Sequence, residues 1–452
     1  MDLDIVSSLE TIINESKINA KIILEEESLG FSREYINTYT TNEKSICYNR
    51  FYKSDNLYAM KSLLDNGYKG KIDLIYIDPP FFTMSNYTNK IQVLKGDSKK
   101  VIDYPAYNDI WKEGLIEYLN MLTVRLILMK ELLSDQGTIY IHLDYRAVHY
   151  VKIIMDCIFG MDNFLNEIVW SYKSGGTSKR YYSRKHDNIL VYTKTKKYIF
   201  NPQKEKSYNR GLKPYGFKGI KEYEDEIGWY TLVNSKDVWP INMVGRTSKE
   251  RVGYGTQKPE KLLERIILSS SNENSIVADF FAGSGTTAIV AEKNNRRWIM
   301  SDMGDLSMPI VRRRMAKLDK NPYLLLDQDP FILDKSQRLY LEYNIENIED
   351  KVSININLKS YNIDSKSLKL KGKDKETIKK VWENDSLLLL DYIGIGYINE
   401  NREFITKYES YRDRDKLKLN TNIKYKLNKS NIKDIYIVCI DIFGRIFYQI
   451  LI

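Results

Sequence analysis

The segment best suited to chemistry is Asp78-Pro79-Pro80-Phe81, which directly follows the apolar run at residues 72–77. An apolar run of this length that stops at two prolines is typical of a buried parallel strand. The prolines fix the backbone, so a carbonyl and the Asp78 carboxylate point in set directions. Phe81 adds a flat ring face. Two acceptors beside a ring face suit a planar ring that bears an exocyclic amine; the alternative is a turn that only ends a strand.

A second segment, from Asp279 to Gly285, is a glycine-containing turn between a predicted strand and a predicted helix. Glycines permit a tight turn and a close approach of a ligand to the backbone. Asp302 ends the next predicted strand, at about the spacing where an acid binds ribose hydroxyls. The turn lacks the P-loop pattern and the third glycine of dinucleotide-binding turns, so by itself it is a weak signal.

The elements that must position these segments alternate between strand and helix, which predicts a doubly wound, parallel α/β sheet. Apolar runs predict strands at residues 72–77, 138–143, 167–172, 275–279 and 297–302. Helical periodicity predicts helices at residues 1–45, 111–133, 145–159, 259–270 and from 286. Gly137 is predicted to cap the second of these helices, and Pro259 to lie in the first turn of the fourth. In such a sheet, ligands bind beyond the carboxyl ends of the strands, where the strand order reverses.

The charge distribution favours a polyanionic partner. The 452-residue chain is 43% apolar and 29% charged, which is typical of a globular protein and not of a disordered or membrane protein. Residues 171–221 carry 14 Lys or Arg and 2 Asp or Glu, and residues 351–380 carry 9 and 3. Two basic segments on a mildly acidic body suggest nucleic acid. For residues 351–380, a solvated lysine-rich surface is an equal alternative.

The few cysteines and histidines argue against other classes of site. Three scattered cysteines favour a reducing cytoplasm and no disulfide framework, and neither they nor the three histidines have metal-ligand spacing. We therefore expect no metal. The sequence has no apolar stretch long enough for a membrane span, and its start does not resemble a signal peptide.

Several motifs together resemble one known family. Asp78-Pro79-Pro80-Phe81 resembles the DPP[YF] motif of DNA amino-methyltransferases, and residues 278–287 resemble their S-adenosylmethionine motif. Residues 254–259 resemble the tract before it. The catalytic motif precedes the cofactor motif, as in the β class, and the resemblance covers about residues 46–320. It implies a Rossmann-like methyltransferase sheet with circularly permuted motif order, S-adenosylmethionine as cofactor, and methyl transfer to the N6 amine of an adenine flipped out of duplex DNA.

The resemblance also implies a role for each matching residue. The catalytic residues are Asp78, Pro79, Pro80 and Phe81. The cofactor-binding residues are Asp55, Thr256, Lys258, Asp279, Phe281, Gly283, Gly285 and Asp302. The basic, tyrosine-rich insert supplies the expected DNA contacts Lys173, Arg180, Tyr181, Tyr182, Arg184 and Lys185. His142 and Asp144 are expected to be a satisfied structural pair in preference to active-site residues.

The predicted organisation has five parts: a helical segment (1–45), a catalytic half (46–170), a target-recognition region (171–250), a cofactor half (251–320) and a smaller, β-rich accessory domain (321–452). Residues 441–444 resemble, more weakly, the C-terminal part of longer adenine methyltransferases such as type III modification subunits.

Two alternatives stay open at this point: the same chemistry on cytosine N4 or RNA, and a catalytically inactive DNA-recognition subunit. The expected setting is a restriction-modification or phage-defence system. The sequence does not give the recognition site, and it leaves open a homodimer and a separate restriction endonuclease as partners.

Overall fold

A computed structural model describes residues 5–27, 29–36, 49–318, 322–328, 339–363, 368–413, 415–428 and 434–451. The helices are α1 (Ile5–Glu25), α2 (Asn56–Leu63), α3 (Leu115–Leu132), α4 (Val148–Phe159), α5 (Glu260–Ser270), α6 (Thr286–Lys293), α7 (Ser307–Ala316) and α8 (Gly372–Asp385). The first strands are β1 (Ser32–Ile36), β2 (Asn49–Lys53), β3 (Ile72–Ile77), β4 (Ser85–Lys95), β5 (Ser98–Asp109), β6 (Leu133–Leu143), β7 (Phe164–Ser171), β8 (His186–Thr193), β9 (Lys204–Tyr208), β10 (Glu222–Glu224), β11 (Trp229–Asn234) and β12 (Val238–Pro240). The remaining strands are β13 (Ile276–Asp279), β14 (Arg297–Asp302), β15 (Tyr323–Asp327), β16 (Leu339–Ile348), β17 (Lys351–Tyr361), β18 (Leu390–Ile398), β19 (Phe404–Tyr411), β20 (Asn422–Asn428), β21 (Ile435–Asp441) and β22 (Ile446–Ile450).

The described strands form one large sheet with the order β12-β7-β8-β6-β3-β13-β14-β2-β15-β1-β19-β18-β21-β22. Strands β6, β3, β13, β14 and β2 are parallel to their neighbours in this series. The chain passes from β3 to β6 on one side and from β13 to β14 on the other, so the strand order reverses between β3 and β13. This confirms the predicted doubly wound α/β fold.

Burial explains why the central strands read as apolar runs. All of β3 is buried except Asp73, and β13 is buried throughout. Helices α1 to α4 cover one face of the sheet and α5 to α7 cover the other. A parallel strand covered on both faces selects apolar side chains at consecutive positions, which is the pattern that the sequence shows.

Three predictions about the helices need correction. Helix α1 ends at Glu25, and residues Ser32–Ile36 form β1, which pairs with β15 and β19; residues 37–48 lie outside the described part. Gly137 is not a helix cap but lies within β6, where a Cβ would come within 2.6 Å of the Leu133 side chain. Close packing, not a helix end, therefore requires this glycine. Pro259 is the N-cap residue, one position before α5.

The basic insert is not separate from the large sheet. Strand β8 (His186–Thr193) lies between β7 and β6, pairs antiparallel with both, and is buried from Asn188 onward. The sheet needs this strand for its continuity, because β7 and β12 are attached through it. The rest of the insert includes a small sheet, β10-β11-β9. Its role in target recognition stays a prediction.

The C-terminal part is rich in strands, as predicted, and part of it extends the large sheet. Strands β21 and β22 flank a turn at residues 443–444, while β16, β17 and β20 form a separate sheet. The buried Arg312 of α7 joins the two ends of the chain, since its guanidinium lies 2.7 Å from Glu34 Oε1 and 3.1 Å from Glu409 Oε1. Within the described residues, no helix is long and apolar enough to cross a bilayer.

Candidate active site

The loops that carry the predicted site residues all leave the same edge of the sheet. Parallel pairing places Ile75 beside Ala278, Asp279 beside Met300, and Asp302 beside Lys53. The loops that follow β3, β13, β14 and β2 therefore begin next to one another. The reversal of strand order between β3 and β13 opens a crevice at this edge, which is where ligands bind in sheets of this kind.

Asp78 lies at the centre of this edge with its two carboxylate oxygens in different situations. Its Oδ2 forms an ion pair with the Lys258 ammonium. Its Oδ1 is buried and has no hydrogen-bond partner among the described residues, and His142 Nδ1 lies 3.9 Å from it. An unsatisfied buried acceptor costs about 1–3 kcal/mol or more when charged. A donor from a ligand would remove this cost.

Phe81 offers a ring face three residues after Asp78. Its ring centroid lies 5.5 Å from the His142 ring at an angle of 37°, and the Lys258 Nζ lies 5.3 Å from the Phe81 centroid. Phe81 is half-buried, whereas the preceding Pro79 is buried. One side of the ring is thus supported by the protein. The arrangement can hold a planar ring against Phe81 while a polar group on that ring meets Asp78.

His142 and Asp144 are both satisfied, but not by each other, so pairing between them was the wrong prediction. The buried His142 ring contacts Tyr76 Oη through Nδ1 at 2.9 Å and Asp187 Oδ2 through Nε2 at 3.2 Å. Asp144 instead pairs with Arg146. The partner that sequence reasoning missed is Asp187, which lies outside every motif identified in the sequence.

The pKa of the Asp187 carboxyl reflects this contact with His142. Burial raises it, but the hydrogen bond and electrostatic interaction with His142, together with the Lys258 charge, outweigh burial and hold the pKa below its usual value. The Tyr172 hydroxyl donates to Asp187 Oδ1 at 3.1 Å. Asp187 therefore links His142, behind Phe81, to Tyr172 at the start of the basic insert.

The glycine turn is built around two buried carboxyls. Asp279 Oδ1 accepts from the Phe281 N–H at 3.0 Å, and its Oδ2 accepts from the Thr287 hydroxyl at 2.6 Å. Burial raises the pKa of Asp279 to about 7, against these two hydrogen bonds. Gly285 has φ 72°, and a Cβ there would lie 2.3 Å from Val311 Cγ2, so this position requires glycine.

Asp302 closes the same turn from the neighbouring strand. Its Oδ2 accepts from the Gly283 N–H and its Oδ1 from the Gly304 N–H, both at 2.7 Å. Burial raises its pKa, and the two backbone hydrogen bonds oppose the rise. Each carboxylate oxygen keeps a further lone pair, so the predicted contact with ribose hydroxyls is compatible with this support of the turn.

Asp55 stands at the N-terminus of α2, where its carboxylate accepts from the Leu57 N–H at 2.9 Å. Arg125 donates to both of its oxygens, at 2.8 and 3.0 Å. Sequence analysis did not identify this role for Arg125. Burial lowers its pKa and Asp55 opposes that shift. A buried arginine in such a helix is a signal that a carboxylate lies nearby.

The remaining predicted cofactor residues border the same crevice. Thr256 forms a side-chain hydrogen bond with Tyr107, and the Lys258 carbonyl accepts from the Thr286 hydroxyl at 3.2 Å. Phe281 is half-buried and packs on the core. Tyr254 was not among the predicted site residues, yet its ring would lie 3.3 Å from a Cβ at Gly283. Lys258 reaches Asp78 and so joins the catalytic and cofactor halves.

The predicted DNA contacts lie on the loop at residues 172–185, which joins β7 to β8. Strand pairing places Ser171 beside His186 and Asn188 beside Leu143, so this loop leaves the edge that carries Asp78. Lys173, Arg180, Tyr181, Tyr182 and Arg184 are exposed, with Tyr182 at 98%. Arg184 donates to the Tyr145 hydroxyl at 2.7 Å, and the half-buried Lys185 ammonium donates to Ser174 and Gly175. Those two residues therefore also hold the loop in shape.

Lys194, Lys196 and Lys197 of the insert do not join this surface. Lys194 N donates to Gly137 O, and residues 194–197 follow the end of β8, at the edge of the sheet opposite Asp78. The net charge counted along residues 171–221 is thus divided between two sides of the molecule. The strand pairing places the loop at residues 172–185 beside the crevice, and it brings the residues after β12 to the same edge, because Pro240 pairs in parallel with Ser171.

Comparison with known proteins agrees with this geometry. Residues 72–312 match the model of the N6_N4_Mtase family, described as DNA methylase, and this span includes both the Asp78 segment and the glycine turn. The chain belongs to this DNA methylase family. Asp55 and the C-terminal strands lie outside the matched span.

Relatives of this DNA methylase include type II methyltransferases and a DNA adenine methyltransferase. The type II methyltransferase M.HpaI of Haemophilus parainfluenzae is 31% identical over 263 residues, which are 58% of this chain and 72% of that protein. M.EcaI of Enterobacter cloacae is 28% identical over 367 residues, which cover 68% of this chain and 77% of that protein. The DNA adenine methyltransferase YhdJ of Escherichia coli (strain K12) is 29% identical over 251 residues, which cover 54% of this chain and 76% of that protein.

Proposed function

We propose that this DNA methylase transfers a methyl group from S-adenosylmethionine to the N6 amine of an adenine in duplex DNA, as the modification enzyme of a restriction or phage-defence system. The observation that carries the proposal is the unpaired Oδ1 of Asp78 beside the ring of Phe81. An exocyclic amine supplies the missing donor, and its base supplies the partner for the ring face.

The amine is a poor nucleophile, because its lone pair is delocalised into the base. A hydrogen bond to Asp78 Oδ1 and one to the Pro79 carbonyl would hold both N–H groups and direct the lone pair out of the ring plane. Lys258 keeps Asp78 in place through the other oxygen. Phe81, supported by His142, would keep the base in register. Catalysis would thus consist mainly of orientation and polar preorganisation.

The residues around the glycine turn fit S-adenosylmethionine, which supplies an electrophilic methyl group on a sulfonium. Asp279 is a buried carboxyl whose burial disfavours its charge, so a ligand cation such as an amino-acid ammonium would stabilise it. The glycine backbone at Gly283 allows a close approach, because a Cβ there would enter the space beside Tyr254. Asp302 and Asp55 offer acceptors for hydroxyl and amine groups of a nucleoside. Thr256 and the start of α6 suit its carboxylate.

A base in a duplex hides its amine in the stack, so the target must be flipped into the crevice. The loop at residues 172–185 leaves the same edge as Asp78 and presents cationic and aromatic side chains to solvent. These suit phosphate and base contacts respectively. We propose that this loop, with the remainder of residues 171–250, recognises the target, and that the enzyme works in the cytoplasm, where cellular DNA lies.

Adenine is favoured over cytosine by two observations. An aspartate, not a serine, precedes Pro79-Pro80, and the relative YhdJ carries adenine specificity in its name. The name of the family covers methylation at both N6 and N4. The second candidate is therefore cytosine N4, with the same residues in the same roles. Any restriction activity would belong to another chain.

The deciding experiment is methyl transfer from labelled S-adenosylmethionine to duplex DNA and to RNA, followed by nucleoside analysis. We expect label in N6-methyladenine from DNA only. Label in N4-methylcytosine would identify cytosine as the substrate, and label in RNA would identify RNA. If a folded, DNA-binding protein transfers no label, an inactive recognition subunit is favoured.

Asp78→Asn is the matched variant for that assay. It keeps the shape and one acceptor but removes the charge and presents an amide N–H₂ in one of two orientations. We expect turnover to fall by at least about a hundredfold, the scale of losing one preorganised group. Asp97→Asn, an exposed carboxylate in the tight turn of the β4–β5 hairpin, should leave turnover unchanged. Near-normal turnover of Asp78→Asn would remove Asp78 from the catalytic role.

A further inference from the structure

One charged region has no role in the function proposed above: the lysines around the first turn of α8. Lys371, Lys373 and Lys375 are exposed, and none of the three forms an ion pair within the described part of the chain. They belong to the basic segment at residues 351–380, for which the sequence left DNA contact and a solvated surface as equal alternatives. Their place in the fold distinguishes these alternatives.

The chain that leads into α8 is fixed beside the cofactor loop. The Lys369 ammonium lies 3.1 Å from Asp305 Oδ2, and Asp305 stands three residues after Asp302. The C-terminal turn presses on the same place, because a Cβ at Gly444 would lie 2.0 Å from the Asp305 carbonyl oxygen. The start of α8 is therefore close to the edge of the sheet that carries the proposed active site.

The first turn of α8 also rests on the β4–β5 hairpin. Asp374 Oδ2 accepts from the Asp103 N–H at 3.2 Å, and Tyr104 packs against Phe443 with ring centroids 5.2 Å apart. The hairpin begins directly after the Asp78–Phe81 segment and docks on the tract before Lys258, since Lys90 N donates to Gly253 O at 3.0 Å. Lys100, near the hairpin tip, is exposed and makes no ion pair with a described residue.

We propose that Lys100, Lys371, Lys373 and Lys375 form a basic arm that binds the backbone phosphates of the same DNA duplex, on the side of the active site opposite the loop at residues 172–185. This inference rests on the proposed function. The loop lies on the β6–β8–β7 side of Asp78, and the arm adjoins the loop that follows β14 on the other side. A duplex held at Asp78 would meet cations on both sides.

The partner is the phosphate backbone and not a base edge, because flexible lysines supply charge without the planar pairing that reads bases. The four lysines outnumber the acids of the first turns of α8, which are Asp374 and Glu376, and Asp103 of the hairpin is paired with Lys90. A strand of the hairpin's length spans roughly 35 Å, or about ten base pairs of duplex. The arm should therefore matter only for duplexes that extend well beyond the target site.

The test compares two triple variants by DNA affinity over a series of salt concentrations. The arm variant carries Lys371→Ala, Lys373→Ala and Lys375→Ala. The control variant carries Lys71→Ala, Lys196→Ala and Lys197→Ala, which remove the same charge from exposed positions at the opposite edge of the sheet. Both are measured on a long duplex of about 40 base pairs and on a short one of about 10, each centred on the site mapped from methylated DNA.

We expect the arm variant to flatten the slope of log affinity against log salt by up to about 2–3 units on the long duplex, at about 0.9 per phosphate contact. On the short duplex, the arm variant and the wild type should agree, and the control variant should match the wild type on both. Cofactor binding and turnover on the short duplex should be kept by the arm variant, which separates failure of the arm from failure of the proposed function. Equal slopes for arm and control variants on the long duplex would assign these lysines to a solvated surface.

Discussion

Asp279 provides a test of the cofactor crevice that can be made from folding alone. Burial raises the pKa of its carboxyl from 3.8 to about 7 in the folded chain, while in the unfolded chain water restores ionisation near pH 4. The folded state holds this proton more tightly. The contribution of the protonated Asp279 to folding stability is therefore complete below about pH 4 and is lost as the pH rises to about 7. A difference of about 3 pKa units corresponds to about 4 kcal/mol.

Asp279→Asn removes this ionisation while keeping a side chain of the same shape. Between pH 5 and pH 8, the unfolding free energy of the wild type should fall by about 3 kcal/mol relative to that of the variant. Urea unfolding at each pH, followed by tryptophan fluorescence, measures the difference. Asp97→Asn, whose side chain stays in water, should track the wild type at every pH. A constant difference for Asp279→Asn would show that burial does not act on Asp279 as argued.

The same residue links pH to cofactor binding. A ligand ammonium at Asp279 would favour the ionised carboxylate, so binding below pH 7 must release a proton. Affinity for S-adenosylmethionine should then fall by up to tenfold for each pH unit below about 7. Calorimetric titration at pH 6 in two buffers of different ionisation enthalpy measures the released proton. Binding without proton release would place the ammonium elsewhere in the crevice.

Four further substitutions separate the roles of neighbouring residues. Gly285→Ala should lower the unfolding free energy by about 2–4 kcal/mol, because this position has a positive φ and a Cβ there would contact Val311. Gly283→Ala should lower the unfolding free energy less and the cofactor affinity more. Urea unfolding measures the first quantity and calorimetry the second. Asp302→Asn replaces one acceptor by a donor facing a backbone N–H, so cofactor affinity should fall by about 1–3 kcal/mol, and unchanged affinity would contradict its place in the turn. His142→Phe should lower kcat with little change in the cofactor Kd, because His142 supports Phe81 and does not border the glycine turn; equal loss of both would indicate a general loss of structure.

Local sequence determined much of this protein's chemistry. The Asp78–Phe81 segment and the glycine turn were predictable because their signals are short-range: prolines that end a strand, glycines that take positive φ, and apolar runs that only a doubly covered parallel strand requires. From the alternation of strand and helix, the doubly wound sheet followed, and with it the expectation that both segments share one edge. The roles of individual residues in binding stay predictions until they are measured.

Only the tertiary structure decided which distant groups meet. Charge counted along the chain could not show that β8 passes through the sheet and sends Lys194 and its neighbours to the edge opposite the loop at residues 172–185. Nor could it pair Lys258 with Asp78, or Asp187 with His142, across 180 and 45 residues. Such contacts depend on strand order and register, which no local propensity encodes. The apolar pattern specifies that a strand is buried, while its neighbours are chosen by the packing of the whole sheet.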